Sequence, residues 1–561
     1  MLSTLLPPSL ILIIGAFALP VVSKSLRPFL LLGLPLLALA QIWSYDLGSS
    51  ATIAFLDYQL TPLKVDALSR LFATIFAIMA CAGGLYAMNQ KRIIELVAAF
   101  IYAGSAIGVA LAGDLITVFV FWEIMAGAST LVIWSSGTKA AYQASMRYVL
   151  IHLFGGVVLM VGIVWQVASS GSVEFIAMQV VSPATWLILI GFLLNAGAPP
   201  LSAWLPDAYP EASYSGTVFL SAFTTKTAVY VLIRGFPGEE VLIFVGLYMI
   251  FYGIIYALLE NDMRRILAYS IINQVGFMIT GIGIGTDMAL NGAAAHAFTH
   301  IIYKALLLMS AGSVMYMTGK RKCTDLGGLF RTMPLTMVCG TIGALAISSF
   351  PLTSGFISKS MISQAAADGQ MMIIWMLLAA ASAGVFLHAG IKFPWFVFFQ
   401  KDSGMRPPEP PKNMRVAMVI MAALCIGLGV FPGTLYAILP YPVDYVPYTA
   451  DHVLKMLQLL LFSGLAFFIL LPMMKRTMTI SLDFDWFYRH AGVRLSKVLA
   501  KAFSSVTAKF ENATDLRLTR FKGLIVRYLG PDGALARTGQ VGTMTLWVVI
   551  VLCVYLVVYL L

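Results

Sequence analysis

A chain of 561 residues that is 60% hydrophobic and only 11% charged, with mean hydropathy +0.89, is not a soluble domain, where roughly a quarter of residues carry charge; it reads as a multi-pass membrane protein whose single domain is the helix bundle. Its formal charge of +11 sits in short loops and one late segment, so cytoplasmic membrane topology explains it and a nucleic-acid partner is excluded. Five scattered cysteines, Cys81, Cys323, Cys339, Cys425 and Cys553, show no C-x-x-C spacing and indicate neither a disulfide framework nor a metal knot.

Apolar runs predict helices near 6–22, 28–44, 65–88, 94–112, 114–136, 143–169, 185–205, 216–234, 240–260, 265–284, 289–318, 333–366, 371–399, 412–432, 452–473 and 543–561. The expected fold is all-α, with about sixteen transmembrane helices of roughly twenty residues each. The N-terminus lacks a basic stretch and an A-x-A site, so the first run reads as a retained helix rather than a signal peptide. Lys24, Arg27, Lys91, Arg92, Lys139, Arg264, Arg265, Lys320, Arg321, Lys322, Lys401, Arg406, Lys412 and Arg415 fall in loops on one face. That face is expected to be cytoplasmic, in a cell (plasma) membrane, with the N-terminus outside.

Two of these helices are expected to be broken. The stretch Asn195 to Trp204 contains Pro199 and Pro200, and Ser348 to Phe356 contains Pro351 and Gly355. Proline removes a backbone donor and clashes with the preceding turn, and unwound backbone at membrane depth persists only where it is buried in protein or lines a wet cavity. The two breaks are five helices apart, an odd offset, so the units that carry them are inverted relative to each other, as in transport pathways. The expected organisation is N-terminal helices over 1–93, a first inverted five-helix repeat over 94–234 and a second over 240–399. Bundle helices over 400–474, a basic amphipathic surface segment over 475–542 and an anchor over 543–561 complete it. Within the surface segment, basic residues such as Lys497, Lys501 and Arg520 alternate with Leu495, Val498 and Phe521, a pattern suited to anionic lipid or to bracing neighbouring subunits. Gly530-Pro-Asp-Gly533 marks a turn before the anchor.

Ionisable residues inside apolar helices are costly and mark function. The segment 114–136 carries Glu123, whose proton affinity depends on the charge beside it. Lys226 lies mid-span in 216–234, too deep for easy snorkelling. His296, His300 and Lys304 recur every four residues and so share one helix face; histidine titrates near neutral pH and suits a relay, whereas no nearby carboxylate or cysteine completes a metal site. Lys359 follows the second break, where loose carbonyls solvate it. Accessory positions are Arg147 and His152, with Arg147 either at the interface or reaching toward Glu123, and His388 and Lys392, where Lys392 is expected to snorkel to the cytoplasmic end. With no nucleotide-binding loop or nucleophile constellation, neither catalysis by this chain alone nor a bound cofactor is expected.

The strings Phe121-Trp-Glu123, Trp204-Leu-Pro-Asp-Ala208, Arg265-Ile-Leu-Ala-Tyr-Ser270, His300-Ile-Ile-Tyr-Lys-Ala-Leu-Leu307 and Gly355-Phe-Ile-Ser-Lys359 resemble the antiporter-like membrane proteins shared by Mrp-type sodium/proton antiporters and respiratory complex I, over about residues 60 to 400. The nearest flavour is the D subunit of Mrp-type Na+/H+ antiporters, although the C-terminal surface helix and anchor look more like the L subunit of complex I. The resemblance implies two inverted five-helix repeats, partner membrane subunits, H+ and Na+ as transported ions, and a buried proton axis of Glu123, Lys226, His300, Lys304 and Lys359, to which the stripe adds His296. It also implies a lysine before the first break, paired with Glu123, where this chain has Asn195. Either Arg147 or Lys226 replaces that lysine, or one proton half-channel is lost or altered. Three functions follow: a proton-conducting antiporter subunit, a pumping subunit of a redox-driven complex of complex I or hydrogenase type, or a transport-deficient structural subunit.

Overall fold

The computed structural model describes residues 7–472, 483–530 and 541–560. It divides into a unit spanning Met1–Asp485 and a second spanning Trp486–Leu561. In the first unit the chain opens with α1 (Pro8–Ala16) and α2 (Arg27–Ser44), then an antiparallel hairpin of β1 (Ser50–Phe55) and β2 (Tyr58–Lys64). The hairpin is not among the expected elements, because its two short strands fall between long apolar runs. Asp66 starts α3 (Ala67–Tyr86) with a reciprocal capping box to Ser69, which satisfies two of the free N–H groups of the first turn. Then follow α4 (Ile93–Leu111), α5 (Leu115–Trp134) and α6 (Lys139–Ser170).

The first expected break is present. Ser182 and Thr185 cap α7 (Pro183–Ala196), which stops at Gly197 in the left-handed region, φ 82°. An irregular turn then leads to α8 (Trp204–Ala208). A third break is not announced by any proline: the predicted helix over 216–234 is divided at residues 221–223 into α9 (Gly216–Leu220) and α10 (Thr224–Gly235). Because Ser and Thr bond their own backbone, Ser221 and Thr224 favour such an interruption. Next come α11 (Val241–Leu259), α12 (Met263–Ile284) and α13 (Asp287–Thr318), and then the second expected break between α14 (Pro334–Ile347) and α15 (Ser354–Asp368). The helix predicted over 371–399 begins as α16 (Met372–Val385) and widens into π-turns at Phe386–Lys392 and Trp395–Phe399. The unit continues with α17 (Lys412–Val430), α18 (Gly433–Tyr436) and α19 (Ala450–Ile469). Near its end Asp483 accepts hydrogen bonds from the hydroxyls of Tyr252 and Tyr269, each at 2.6–2.7 Å.

The second unit holds α20 (Val493–Leu529), 37 residues long, and α21 (Val541–Leu560). Residues 475–482 of the expected surface segment and Pro531 to Gly533 of the expected turn lie outside the described residues. Among the described residues, thirteen helices are long and apolar enough to cross a membrane, and Pro183–Ala196 and Pro334–Ile347 are shorter apolar helices beside the two expected breaks.

The centre of the first unit is closely packed. Helices α10 and α12 are wholly buried over their apolar windows, and α11 meets α12 along Gly246, Gly253, Gly276 and Gly283. A Cβ on Gly276 would stand 2.6 Å from the Gly246 carbonyl oxygen, the close backbone approach that small residues permit between membrane helices. Gly276→Ala is therefore expected to destabilise the folded unit by about 1–3 kcal/mol, read as a lower midpoint of thermal unfolding in detergent. Gly427→Ala on α17, where a Cβ meets nothing within 4 Å, is expected to stay within about 0.5 kcal/mol of the parent.

Candidate functional site

A row of polar side chains runs through the packed centre. Lys226, His296, His300, Lys304 and His388 are fully buried, and Lys359 and Lys392 are only 2% and 1% exposed. Lys226 stands in the first turn of α10, and its Nζ donates to the Ser221 carbonyl at 2.7 Å and to Thr225 Oγ1 at 3.0 Å. Those oxygens are available because the helix is interrupted there. Lys359 Nζ donates to the carbonyl of Ile347, the last residue of α14, at 2.8 Å, and lies 4.8 Å from the centre of the Phe277 ring, within cation–π range. Lys304 Nζ reaches Ser270 Oγ at 2.9 Å and the Leu267 carbonyl at 3.4 Å, both on α12.

The histidines of α13 differ from each other. The His296 ring hydrogen-bonds with Ser358 Oγ at 3.0 Å and with Gln274 Oε1 at 3.1 Å, and Tyr303 Oη also donates to that Gln274 oxygen at 3.1 Å. One turn on, both ring nitrogens of His300 are buried without a hydrogen-bond partner among the described residues, although its ring lies edge-on to Tyr303. A satisfied histidine and an unsatisfied one therefore sit side by side above Lys304. No carboxylate hydrogen-bonds or ion-pairs with Lys226, Lys304 or Lys359 among the described residues.

Glu123 lies apart from these lysines in its bonding. It is half-buried on α5, and its buried Oε1 has no partner among the described residues. Arg147 does not reach toward it: the guanidinium instead grips Asp207 of α8 at 2.7 and 2.9 Å, a bidentate pair. Nor does Lys226 pair with it, its ammonium being taken by Ser221 and Thr225. Asn195, in the last turn of α7, is 1% exposed with Oδ1 unpartnered. Lys392 also departs from expectation. Rather than snorkelling, it caps the end of α11 through the carbonyls of Ala257, Leu258 and Glu260 at 2.6–2.9 Å, because the π-turn at Phe386–Lys392 keeps it inside the bundle. His388, on the same turn, bonds the Gly384 carbonyl through Nδ1 while Nε2 stays unpartnered.

The comparisons with known proteins agree with this architecture. The profile of the family described as NADH:quinone oxidoreductase/Mrp antiporter, TM, matches residues 112–386. The chain is 30% identical over 400 residues to the D subunit of the Na(+)/H(+) antiporter of Alkalihalophilus pseudofirmus, covering 66% of this chain and 80% of that one. It belongs to the NADH:quinone oxidoreductase/Mrp antiporter family of membrane subunits. Among solved structures, a chain of the Mrp complex from Dietzia sp. DQ12-45-1b matches with TM-score 0.68 and 19% identity, over 83% of this chain and 98% of that one. A chain of the membrane-bound sulfane sulfur reductase, an archaeal respiratory membrane complex, matches with TM-score 0.72 and 24% identity over 99% and 100%. Both likenesses are of fold.

Within this family frame several buried polar groups escape a reading of the sequence alone. Arg264 is expected in a loop, yet it is 2% exposed and donates to the carbonyls of Pro210, Ala212 and Ser213. Glu95, hidden in the sequence behind the basic pair Lys91 and Arg92, is fully buried and accepts from Ser213 and Ser215 Oγ at 2.6 Å. Gln274, Ser270 and Ser358 carry no charge to draw the eye, although polar residues inside apolar runs are the signal that finds them. A fastening role for Arg147 and Asp207 predicts a double-mutant cycle: Arg147→Met and Asp207→Asn, alone and together, are expected to show a coupling energy of about 0.5–3 kcal/mol in detergent unfolding. A coupling near zero would show that the pair does not hold α6 to α8.

Proposed function

We propose that this chain is a proton-conducting subunit of a multi-subunit monovalent-cation/proton antiporter, with Na+ as the cation. Protons move along Glu123, Lys226, His296, His300, Lys304 and Lys359. The observation that carries the reading is the bonding of the buried lysines. A fixed structural charge in a low-dielectric interior is expected to have a counter-charge; these ammonium groups have only carbonyl and hydroxyl oxygens. Such a group keeps or yields its proton according to the charge that approaches it, and intramembrane ionisable rows mark proton relays. The breaks beside Lys226 and Lys359 add backbone that can rearrange. The similarity to the D subunit of a Na(+)/H(+) antiporter supports the cation assignment and the presence of partner membrane subunits.

In this reading the two breaks at Pro199–Pro200 and Pro351–Gly355 belong to repeats over 94–234 and 240–399, inverted in the plasma membrane with the N-terminus outside and the short basic loops cytoplasmic. The basic face of the segment 475–542 meets anionic lipid. A second reading, a pumping subunit of a redox-driven complex, is favoured by one observation: the chain matches the archaeal respiratory subunit over 99% of its length, C-terminal helices included.

Exchange measured in inside-out vesicles carrying the intact complex separates these readings. Lys226→Ala, Lys304→Ala and Glu123→Gln are each expected to lower pH-gradient-driven cation exchange at least ten-fold, about 1.4 kcal/mol, at unchanged levels of assembled complex. Unchanged exchange in both Lys226→Ala and Glu123→Gln would discard the proposal and leave a structural subunit. Proton movement that requires an electron donor, together with iron–sulfur proteins co-purifying with the chain, would instead favour the redox reading.

A further inference from the structure

Glu123 and two further polar groups are left without partners among the described residues, and the three lie on helices that pack together. Glu123 Oε1 on α5, both ring nitrogens of His152 on α6 and Asn195 Oδ1 on α7 are buried and make no hydrogen bond among the described residues, and α6 packs against both α5 and α7. The Glu123 carboxylate rests against α6 at Gly156, where an added Cβ would stand 2.0 Å from Oε1. Gly156 is four residues beyond His152, hence on the same helix face one turn away. The Asn195 amide lies beside the His152 ring. That ring is held by Tyr148 and Trp204, with centroids at 4.0 and 4.6 Å, and the Trp204 indole is fixed in turn by donating to the Leu194 carbonyl at 3.0 Å.

The imidazole is therefore oriented by packing, with the Asn195 amide as a polar neighbour, while its nitrogens make no hydrogen bond of ordinary geometry among the described residues. Leaving a buried polar group unpaired costs about 1–3 kcal/mol, and unpaired groups that persist together call for a water or a moving proton. On the elements that pack against α6 the other titratable groups are engaged among the described residues, except that the buried Tyr209 hydroxyl has no hydrogen-bond partner. Asp207 of α8 is taken by Arg147, Glu211 in the following turn is taken by Arg321, the Tyr148 hydroxyl bonds with Ser129 at 2.9 Å, and Tyr209 is a buried phenol stacked edge-on against Trp204. α7 brings only Asn195, and α5 only Glu123.

The geometry points to His152 as the proton partner of Glu123, with Asn195 orienting a bridging water between them. A proton leaves the carboxylic acid of Glu123 and is bound by an imidazole nitrogen, giving a carboxylate and an imidazolium; release of that proton from the ring restores neutral histidine. The step rests on the proton-conducting reading above and assigns its first transfer. His152 is the ionisable side chain one helical turn from Gly156, against which this carboxylate rests, and an imidazole can both accept and donate a proton.

The test is cation exchange in vesicles of the intact complex, followed from about pH 5.5 to 9, a range that spans histidine titration. His152→Gln, which keeps size and hydrogen bonding but cannot titrate, is expected to lose at least ten-fold in rate and to lose the part of the pH dependence that the imidazole carries. His152→Lys is expected to recover much of the rate with that part of the pH dependence moved to higher pH, a rescue that a packing role does not provide. Gly156→Ala, which forces the Glu123 carboxylate off α6, is expected to lose a similar factor. If His152→Gln lowers assembly, rates are normalised to assembled complex and Asn195→Ala gives the second readout, with a several-fold slower rate expected. A parental rate and pH profile in His152→Gln or in Asn195→Ala, while Lys226→Ala is inactive, overturns this assignment and leaves the proton path intact. Parental exchange in Lys226→Ala and Glu123→Gln as well removes the reading beneath it.

Discussion

The ends of interrupted helices hold the buried ammonium groups, and the rest of the interior is arranged around that contact. A helix terminus leaves its last carbonyls without intrahelical partners and carries the negative end of the helix dipole. Lys226 takes the Ser221 carbonyl just past the end of α9, Lys359 takes that of Ile347 at the end of α14, and Lys392 takes three at the end of α11. Lys226 and Lys359 thus each satisfy a break, and Lys392 an ordinary helix end, that would otherwise leave unpaired backbone in an apolar environment. Each break in turn offers a cation partial negative charge without a carboxylate that would lock it in place. Lys304 is the exception, lying inside unbroken helices and held mainly by the Ser270 hydroxyl.

This contact separates fastening charges from movable ones. Arg147 with Asp207 and Arg234 with Asp66 form paired contacts of opposite charge, and Arg264 fills its donors with three carbonyls of one loop. These groups tie elements together, and a proton has no second site to occupy there. By contrast Lys226, Lys304 and Lys359 rest on neutral oxygens, while His300, His152 and Glu123 keep buried atoms open. In a low-dielectric interior an open polar atom is expensive unless a water or proton visits it. Among the described residues the unsatisfied atoms of the row fall on α5, α6, α7, α13 and the π-turn that carries His388, and in the proposed reading they mark where charge could travel.

Most of the helical architecture is legible in the sequence, because apolar runs of membrane length have few alternative explanations. The breaks after Asn195 and Ser348 are visible through their prolines. The break at Ser221 is not, because serine and threonine also occur inside continuous helices, where their side chains bond the preceding turn. The ionisable row is likewise visible as wrong residues in apolar helices, yet its bonding is hidden. Nothing in the order of residues distinguishes Arg147 reaching Asp207 from Arg147 reaching Glu123, since the two acids lie on different helices that both pack against α6. Lys392 departs from its expected place for a similar reason: its position near a helix end suggests snorkelling, but the π-turn rotates it inward toward α11.

The separation also explains why the two ends of the row differ. At the Lys359 end the ammonium is enclosed, with a carbonyl on one side and an aromatic face on the other, and His296 beside it is fully hydrogen-bonded to Ser358 and Gln274. At the Glu123 end the carboxylate is half-buried, its inner oxygen is open, and no lysine hydrogen-bonds or ion-pairs with it among the described residues. A carboxylate and an imidazole form a neutral pair in one proton arrangement and an ion pair in the other. A carboxylate and a lysine ammonium, by contrast, begin as an ion pair and must be separated before the lysine can carry charge onward. With Asn195 at the position where the family resemblance implies a lysine, the proposed first transfer would start from a neutral pair with no ion pair to be broken, and in that reading the energetic control over proton movement would shift toward the lysines held at the broken helix ends.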